Sequence, residues 1–146
     1  MSLDECFFCD VQGMDDKSIV AENEHFYVHD SDFSVSIGHC EVVSKDHINS
    51  FFNLNSEQLV SLYEMINKAK EFIEEKLDPD GYNVGLNEGK AAGQSIPHLH
   101  VHVIPRYNGD IDNPRGGVRN ILPGGDYTGD VARDMPDRTR YITPQN

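Results

Sequence analysis

From Asn55 onward the apolar residues Leu59, Leu62, Ile66, Ala69, Ile73 and Leu77 recur at steps of three or four, the spacing of one face of an α-helix. Asn55 or Ser56 can cap its start by accepting a backbone N–H, and "DPDG" at 78–81 stops it. Elsewhere the period shortens. "HFYVHD" and "FSVSIGHCEVVS" are rich in aromatic and β-branched residues and predict a hairpin of two strands. "GMDDKSIVAENE" reads as a turn, a short strand and a turn, and "YNVGLN" as another strand. A glycine-bearing loop, "EGKAAGQS", then leads to a last strand, "HLHVHVIPRY". Beyond Pro105 the pattern dissolves, with four of the seven prolines and no sustained periodicity, which predicts a long loop and an extended tail.

The last strand carries the chemistry. Side chains alternate along a strand, so His98, His100 and His102 share one face while Leu99, Val101 and Val103 share the other. The apolar face can pack on the long helix, which leaves the imidazoles lining an open surface. Imidazoles about 7 Å apart along a strand repel when protonated and add no stability that threonine would not add better. Two uses explain them: a metal site with three imidazole ligands, or a nucleophilic imidazole held in one tautomer and aimed at an electrophile such as phosphorus. The preceding "NEGKAAGQS" offers Gly89 and Gly93 for tight backbone and Asn87, Gln94 and Ser95 as uncharged donors. That chemistry suits phosphate and ribose oxygens, although an ordinary connection would also contain it. Near the start, "CFFC" sets two thiols one turn apart, as in a zinc ligand pair, a redox pair or two small buried residues.

Composition narrows the partners. At 146 residues the chain is one domain in length and can bury a core without disulfides. Twelve Lys and Arg against 25 Asp and Glu give a net charge of -13, a field that repels a nucleic acid backbone. A small phosphorylated ligand remains compatible, because backbone N–H groups bind phosphate whatever the net charge. No run approaches the roughly 18 apolar residues of a membrane span, and "MSLDECFFCD" lacks the basic-then-apolar order of a signal peptide; the expected location is the cytoplasm. Cys6, Cys9 and Cys40 are an odd number and predict no disulfide framework.

"HLHVHVIPR" resembles the His-φ-His-φ-His-φ-φ signature (φ apolar) of the histidine triad (HIT) superfamily, and "AAGQS" stands where that family has its phosphate-contacting loop. "CFFC" resembles the family's Cys-x-aromatic-Cys, and "VSIGHCEVVSKDH" resembles its "PVSPGHxLVIPKxH". "DGYNVGLNEGKAAGQS" through "NPRGGVRNILP" is similar to a prokaryotic branch close to the Fhit-type dinucleoside polyphosphate hydrolases. The likeness spans roughly residues 6–125.

The resemblance implies an α+β fold with an antiparallel sheet, one long helix and a short N-terminal segment. It implies a catalytic domain over residues 1–125, a tail over 126–146, a homodimer, and a small nucleotide as substrate. By family position His100 is the nucleophile that forms a covalent nucleotidyl intermediate, and His102 touches the α-phosphate and the leaving-group oxygen. A structural zinc would take Cys6, Cys9, His47 and His98, and no catalytic metal is required. The nucleotide would meet Asn87, Gly93, Gln94 and Ser95. Hydrolysis is the expected reaction, with phosphoramidase or nucleotidyl transferase chemistry as the alternative. The chain departs from the family where prolines become Ser34, Ile37 and Ser44, and where the ribose-binding acid falls at Ser31, with Asp32 as its substitute. His39 matches a family histidine packed near the triad. His25 and His29 read as surface-strand residues.

Overall fold

The computed structural model describes residues 6–13, 17–31 and 34–121. The chain divides into two units, residues 1–110 and 111–146. The expected boundary at 125 and the ribose candidate Asp32 both lie outside the described residues. In the second unit Gly117–Ile121 forms a short 3-10 turn, and Arg115 and Arg119 are exposed.

In the first unit α1 (Phe7–Gly13) precedes β1 (Ile19–Glu22), β2 (Phe26–Asp30) and β3 (Cys40–Ser44); α2 (Ser56–Glu74), β4 (Gly81–Gly85) and β5 (His100–Arg106) follow. The strands form one sheet in the order β1-β2-β3-β5-β4, every neighbour antiparallel. The last strand therefore lies inside the sheet. Its His102 stands opposite Glu41 of β3 on one side and Gly85 of β4 on the other.

Helix α2 starts where expected. Asn55 accepts from the Gln58 N–H while the Gln58 side chain accepts from the Asn55 N–H, a reciprocal cap that satisfies two orphan donors. Leu62, Met65, Ala69 and Ile73 are buried against Phe26, Val28, Cys40, Val42, Leu99, Val101 and Val103. Each of the larger ones, such as Leu62, Met65, Ile73, Phe26 and Leu99, contributes about 1.5–3 kcal/mol by leaving water. Leu59 differs from expectation and is 41% exposed. The buried position in that part of the helix is polar: Ser61 Oγ donates to Asn23 Oδ1, and Asn23 Nδ2 donates back to the Ser61 carbonyl.

The opposite face of the sheet is not the open surface the sequence suggested. Cys6, Phe8 and Val11 pack there with Tyr27 and Val43, and the Tyr27 hydroxyl donates to the Phe8 carbonyl at 2.8 Å. Both faces being covered explains why Phe26–His29 are all buried despite their alternation. The last strand also begins later than predicted, at His100. Pro97 has no N–H for the ladder, and His98 sits in a bend, its ring turned into a fully buried pocket.

The hairpin between β2 and β3 likewise carries a longer loop than expected, since Ser34–His39 is irregular. Gly38 turns the chain at φ +87°, and the loop is tied to β5 and its continuation by Ser36 Oγ on the Pro105 carbonyl and by the Tyr107 hydroxyl on the Ile37 carbonyl. A Cβ at Gly38 would stand 2.6 Å from Leu77 Cδ1. Gly38→Ala is expected to destabilise the fold by about 1–3 kcal/mol through this clash and the left-handed backbone, read as a lower urea midpoint with an unchanged m-value. Among the described residues no helix is long and apolar enough to cross a membrane.

Candidate active site

The N-terminal turn and the bend before β5 bring four donors together. Cys6 Sγ lies 3.3 Å from His98 Nδ1, Cys9 Sγ lies 3.5 Å from the same nitrogen, and Cys9 Sγ lies 3.4 Å from His47 Nδ1. A tetrahedral ion with ordinary Zn–S and Zn–N bonds has sulfur-to-nitrogen edges of about 3.5 Å. All four ligand atoms fall within 4.8 Å of one another. The outer partner is also right: His98 Nε2–H donates to the Ser44 carbonyl at 2.7 Å, which leaves the Nδ1 lone pair facing the thiols. Burial, followed by the neighbouring Cys6, pushes the Cys9 thiol up to about 11, the cost a cation would remove by taking the place of the protons. The residues fit a metal ion.

One strand position further, His100 is fixed by the same bend. Its Nδ1 lies 2.8 Å from the His98 carbonyl oxygen. A carbonyl only accepts, so Nδ1 carries the proton and Nε2 keeps its lone pair. Phe8 lies over the ring with centroids 4.9 Å apart, and His100 is 7% exposed.

His102 ends a chain of directed hydrogen bonds. The Val35 N–H donates to His39 Nδ1 at 3.3 Å, so His39 carries its proton on Nε2 and donates to His102 Nδ1 at 2.9 Å. His102 is then left with Nε2–H, a donor on a ring whose side chain is 22% exposed. Burial lowers the proton affinity of His39, with Glu41 working against it; His102 is lowered by burial and then by His100, again against Glu41.

Two residues of this cluster escaped the sequence reading. His29, read as a surface residue, is 1% exposed because α1 covers its face of the sheet. Its ring stands edge-on to Phe7 and Phe8, its Nδ1–H donates to Glu41 Oε2 at 3.2 Å, and its buried Nε2 has no hydrogen-bond partner among the described residues. The other Glu41 oxygen, Oε1, lies 3.8 Å from His102 Nδ1. Burial would raise the Glu41 pKa, yet the His29 hydrogen bond and the fields of His100 and His102 hold it below the usual carboxylate value. The available signal was that Glu41 falls at the leucine of "GHxLVIPKxH", a carboxylate where the pattern has an apolar residue. His39, Glu41 and His102 are also close enough to share a cation. With both His39 nitrogens committed to hydrogen bonds, the cluster stands as a relay. His25, read as a surface residue, is half-buried, its Nε2 shielded from solvent 3.7 Å from Glu57 Oε1.

The glycine-bearing loop leaves β4 at Gly85, opposite His102. Asn87, Gly93 and Ser95 are exposed, and Gly93 turns the chain at φ +89°. The Gln94 amide braces the loop: its Oε1 accepts from the Gly89 N–H at 2.8 Å and its Nε2 donates to the Asn49 carbonyl at 3.0 Å.

Residues 12–109 match the family described as HIT domain. An uncharacterised HIT-like protein of Methanocaldococcus jannaschii is 35% identical over 118 residues, which is 80% of this chain and 91% of that protein. Among solved structures, a Zn-bound histidine triad family protein from Mycobacterium smegmatis shares 31% identity with a TM-score of 0.65, covering 75% of this chain and 80% of the other. Two shorter matches carry activity names. The asymmetrical bis(5'-nucleosyl)-tetraphosphatase of Schizosaccharomyces pombe is 33% identical over 74 residues, 51% of this chain and 41% of that protein. AP-4-A phosphorylase of Mycobacterium tuberculosis is 35% identical over 95 residues, 64% and 49% respectively.

The buried neutral imidazoles give a pH dependence. Unfolding lets His39 and His102 regain an ordinary pKa near 6.5 from a lower folded value. Their contribution to stability is therefore complete above about pH 6.5 and is lost as pH falls through the window beneath it. Glu41, lowered in the fold, loses its share in the same direction at still lower pH. The melting temperature should be lower at about pH 5 than at about pH 7.5; a rise on acidification would contradict the neutral cluster.

Proposed function

The chain belongs to the HIT domain family, and from that premise we propose that it is a nucleotide hydrolase in which His100 attacks the α-phosphorus of dinucleoside polyphosphates or related adenylates. The hydrogen bond from His100 Nδ1–H to the His98 carbonyl carries this reading, because it leaves a bare Nε2 lone pair on a nearly buried ring. The activity names of the tetraphosphatase and phosphorylase relatives support the substrate class. Transfer to an acceptor other than water, as in a phosphorylase, is the second reading, favoured by the latter relative.

In the first half-reaction Nε2 of His100 bonds to phosphorus while the bond to the leaving group breaks and its electron pair departs with that group. His102 Nε2–H supplies a hydrogen bond where this charge develops. Water then adds through its oxygen, the P–N bond returns its pair to His100, and one proton is released. The Nδ1 proton of His100 never moves, so the ring regains its starting tautomer. Asn87, Gly93 and Ser95 contact the nucleotide, on a loop that Gln94 holds in shape. The protein works as a homodimer in the cytoplasm.

Cys6, Cys9, His47 and His98 would hold one structural zinc per chain, a reading supported by their clustering and by the Zn-bound relative. Held by these four residues, a zinc would tie Cys9 of α1 to His98 in the bend before β5, and Phe8 lies over His100 while the His98 carbonyl accepts from His100 Nδ1–H.

His100→Ala is expected to fold, to bind nucleotide, and to lose at least about a thousandfold in kcat, since nothing among the described residues is placed to replace the covalent step. Retention of a tenth of wild-type turnover would show that His100 is not the nucleophile. Elemental analysis should find one zinc per chain, and Cys6→Ser should lower zinc content and melting temperature together. Metal-free protein with the same melting curve as the zinc-loaded form would end the structural-zinc reading.

A further inference from the structure

Glu41 is a half-buried carboxylate on the histidine-bearing face of the sheet, with no part in the attack on phosphorus. Its surroundings specify what it can do. One oxygen accepts from His29 Nδ1–H, and the ring of His29 stands edge-on to Phe7 and Phe8. Against burial, that hydrogen bond, followed by the fields of His100, His102 and His29, holds Glu41 below the usual carboxylate value, so it is ionised at neutral pH. The free oxygen faces His102 Nδ1 at 3.8 Å, on the side where His39 donates at 2.9 Å.

His102 with Nε2–H alone is a hydrogen-bond donor. Giving that proton away would leave an imidazolate, so His102 becomes a true acid only after Nδ1 has also been protonated. That Nδ1–H cannot face the Nε2–H of His39, and Glu41 Oε1 stands 3.8 Å away to accept it. We propose that Glu41 is a positioning residue that receives Nδ1–H of His102 whenever that ring is cationic, and that it thereby equips the site for leaving groups that must be protonated as they depart, such as an amine or an alkoxide on the α-phosphorus.

The proton balance closes. The P–N bond to His100 forms, the bond to the leaving atom breaks, and His102 Nε2–H passes to that atom, leaving His102 neutral with Nδ1–H on Glu41. In the second half-reaction Nε2 takes the proton from the attacking water, and the cation is restored. The groups facing His102 are His39 in the loop before β3, Glu41 on β3 and His100 on its own strand. Of these only Glu41 favours the charged ring. The approach of substrate phosphate adds a second negative charge on the Nε2 side.

This inference rests on the assignment of His100 as nucleophile, and one set of full-length proteins separates the two. Wild type, Glu41→Gln and Glu41→Leu are assayed on two adenosine 5'-phosphate derivatives, an alkylamine amidate that needs a proton on departure and a p-nitrophenyl ester that does not. The glutamine still accepts from His29 Nδ1–H, and the leucine is the residue of the family pattern. Both variants should lose at least about tenfold in kcat/KM on the amidate and less than about threefold on the ester. Equal losses on both substrates, or none on either, would overturn the role of Glu41. Imidazole NMR titration reads the same claim without turnover. The pKa of His102 should fall by about one unit or more in Glu41→Gln, and an unchanged value overturns the proposal. If wild type cleaves neither compound, the nucleophile assignment fails while the titration still decides the Glu41–His102 pairing.

Discussion

The hydrogen bond between His100 Nδ1–H and the carbonyl of His98 is the contact on which the rest of the site depends. Its net worth to folding is about 0.5–1.5 kcal/mol, a small fraction of a domain's stability. Its worth to chemistry is qualitative, because the opposite tautomer would present an N–H in place of the lone pair that the proposed attack on phosphorus needs. The carbonyl belongs to the residue whose ring turns into the thiol pocket, so one backbone bend serves two purposes. His98 sends its side chain toward Cys6 and Cys9 and its main-chain oxygen toward His100 Nδ1. Whatever steadies the Cys–His cluster therefore steadies the aim of His100.

The sheet makes this economical. Because β5 lies between β3 and β4, its apolar face meets α2 at the centre of the core while its other face receives groups from both flanks. Glu41 reaches His102 from β3, the loop after Gly85 leaves from β4, and α1 closes the face from outside. A site built on an interior strand is rigid, and the partly exposed His102 is its opening. Burial lowers the proton affinity of His39 and His102, so the relay favours its neutral state.

Much of this was legible along the chain. The step of three and four from Leu62 to Ile73 located α2 and its cap, and alternation in "HLHVHV" separated histidines from core residues correctly. The spacing of "CFFC" needed the family resemblance to find its distant partners, because His47 and His98 are brought near only by the fold. What could not be read was anything set by packing on the second face of the sheet. A seven-residue helix over the triad has no long-range periodicity to announce it, and without it His29 and the histidine face look solvent-facing. The Glu41 role was hidden for a related reason: a strand glutamate reads as surface until both neighbouring strands present histidines to it. The loop at Ser34–His39 resisted because its β-rich composition outweighed the one glycine that turns it.

The tautomer of His100 is the measurement closest to the central claim. Nitrogen-15 NMR of the histidine side chains in the folded protein at neutral pH distinguishes a protonated ring nitrogen from one with a free lone pair. The structure predicts that His100 carries its proton on Nδ1, hydrogen-bonded, with Nε2 bare, and that His98 shows the reverse arrangement. A His100 ring protonated at Nε2, or on both nitrogens, would contradict the account.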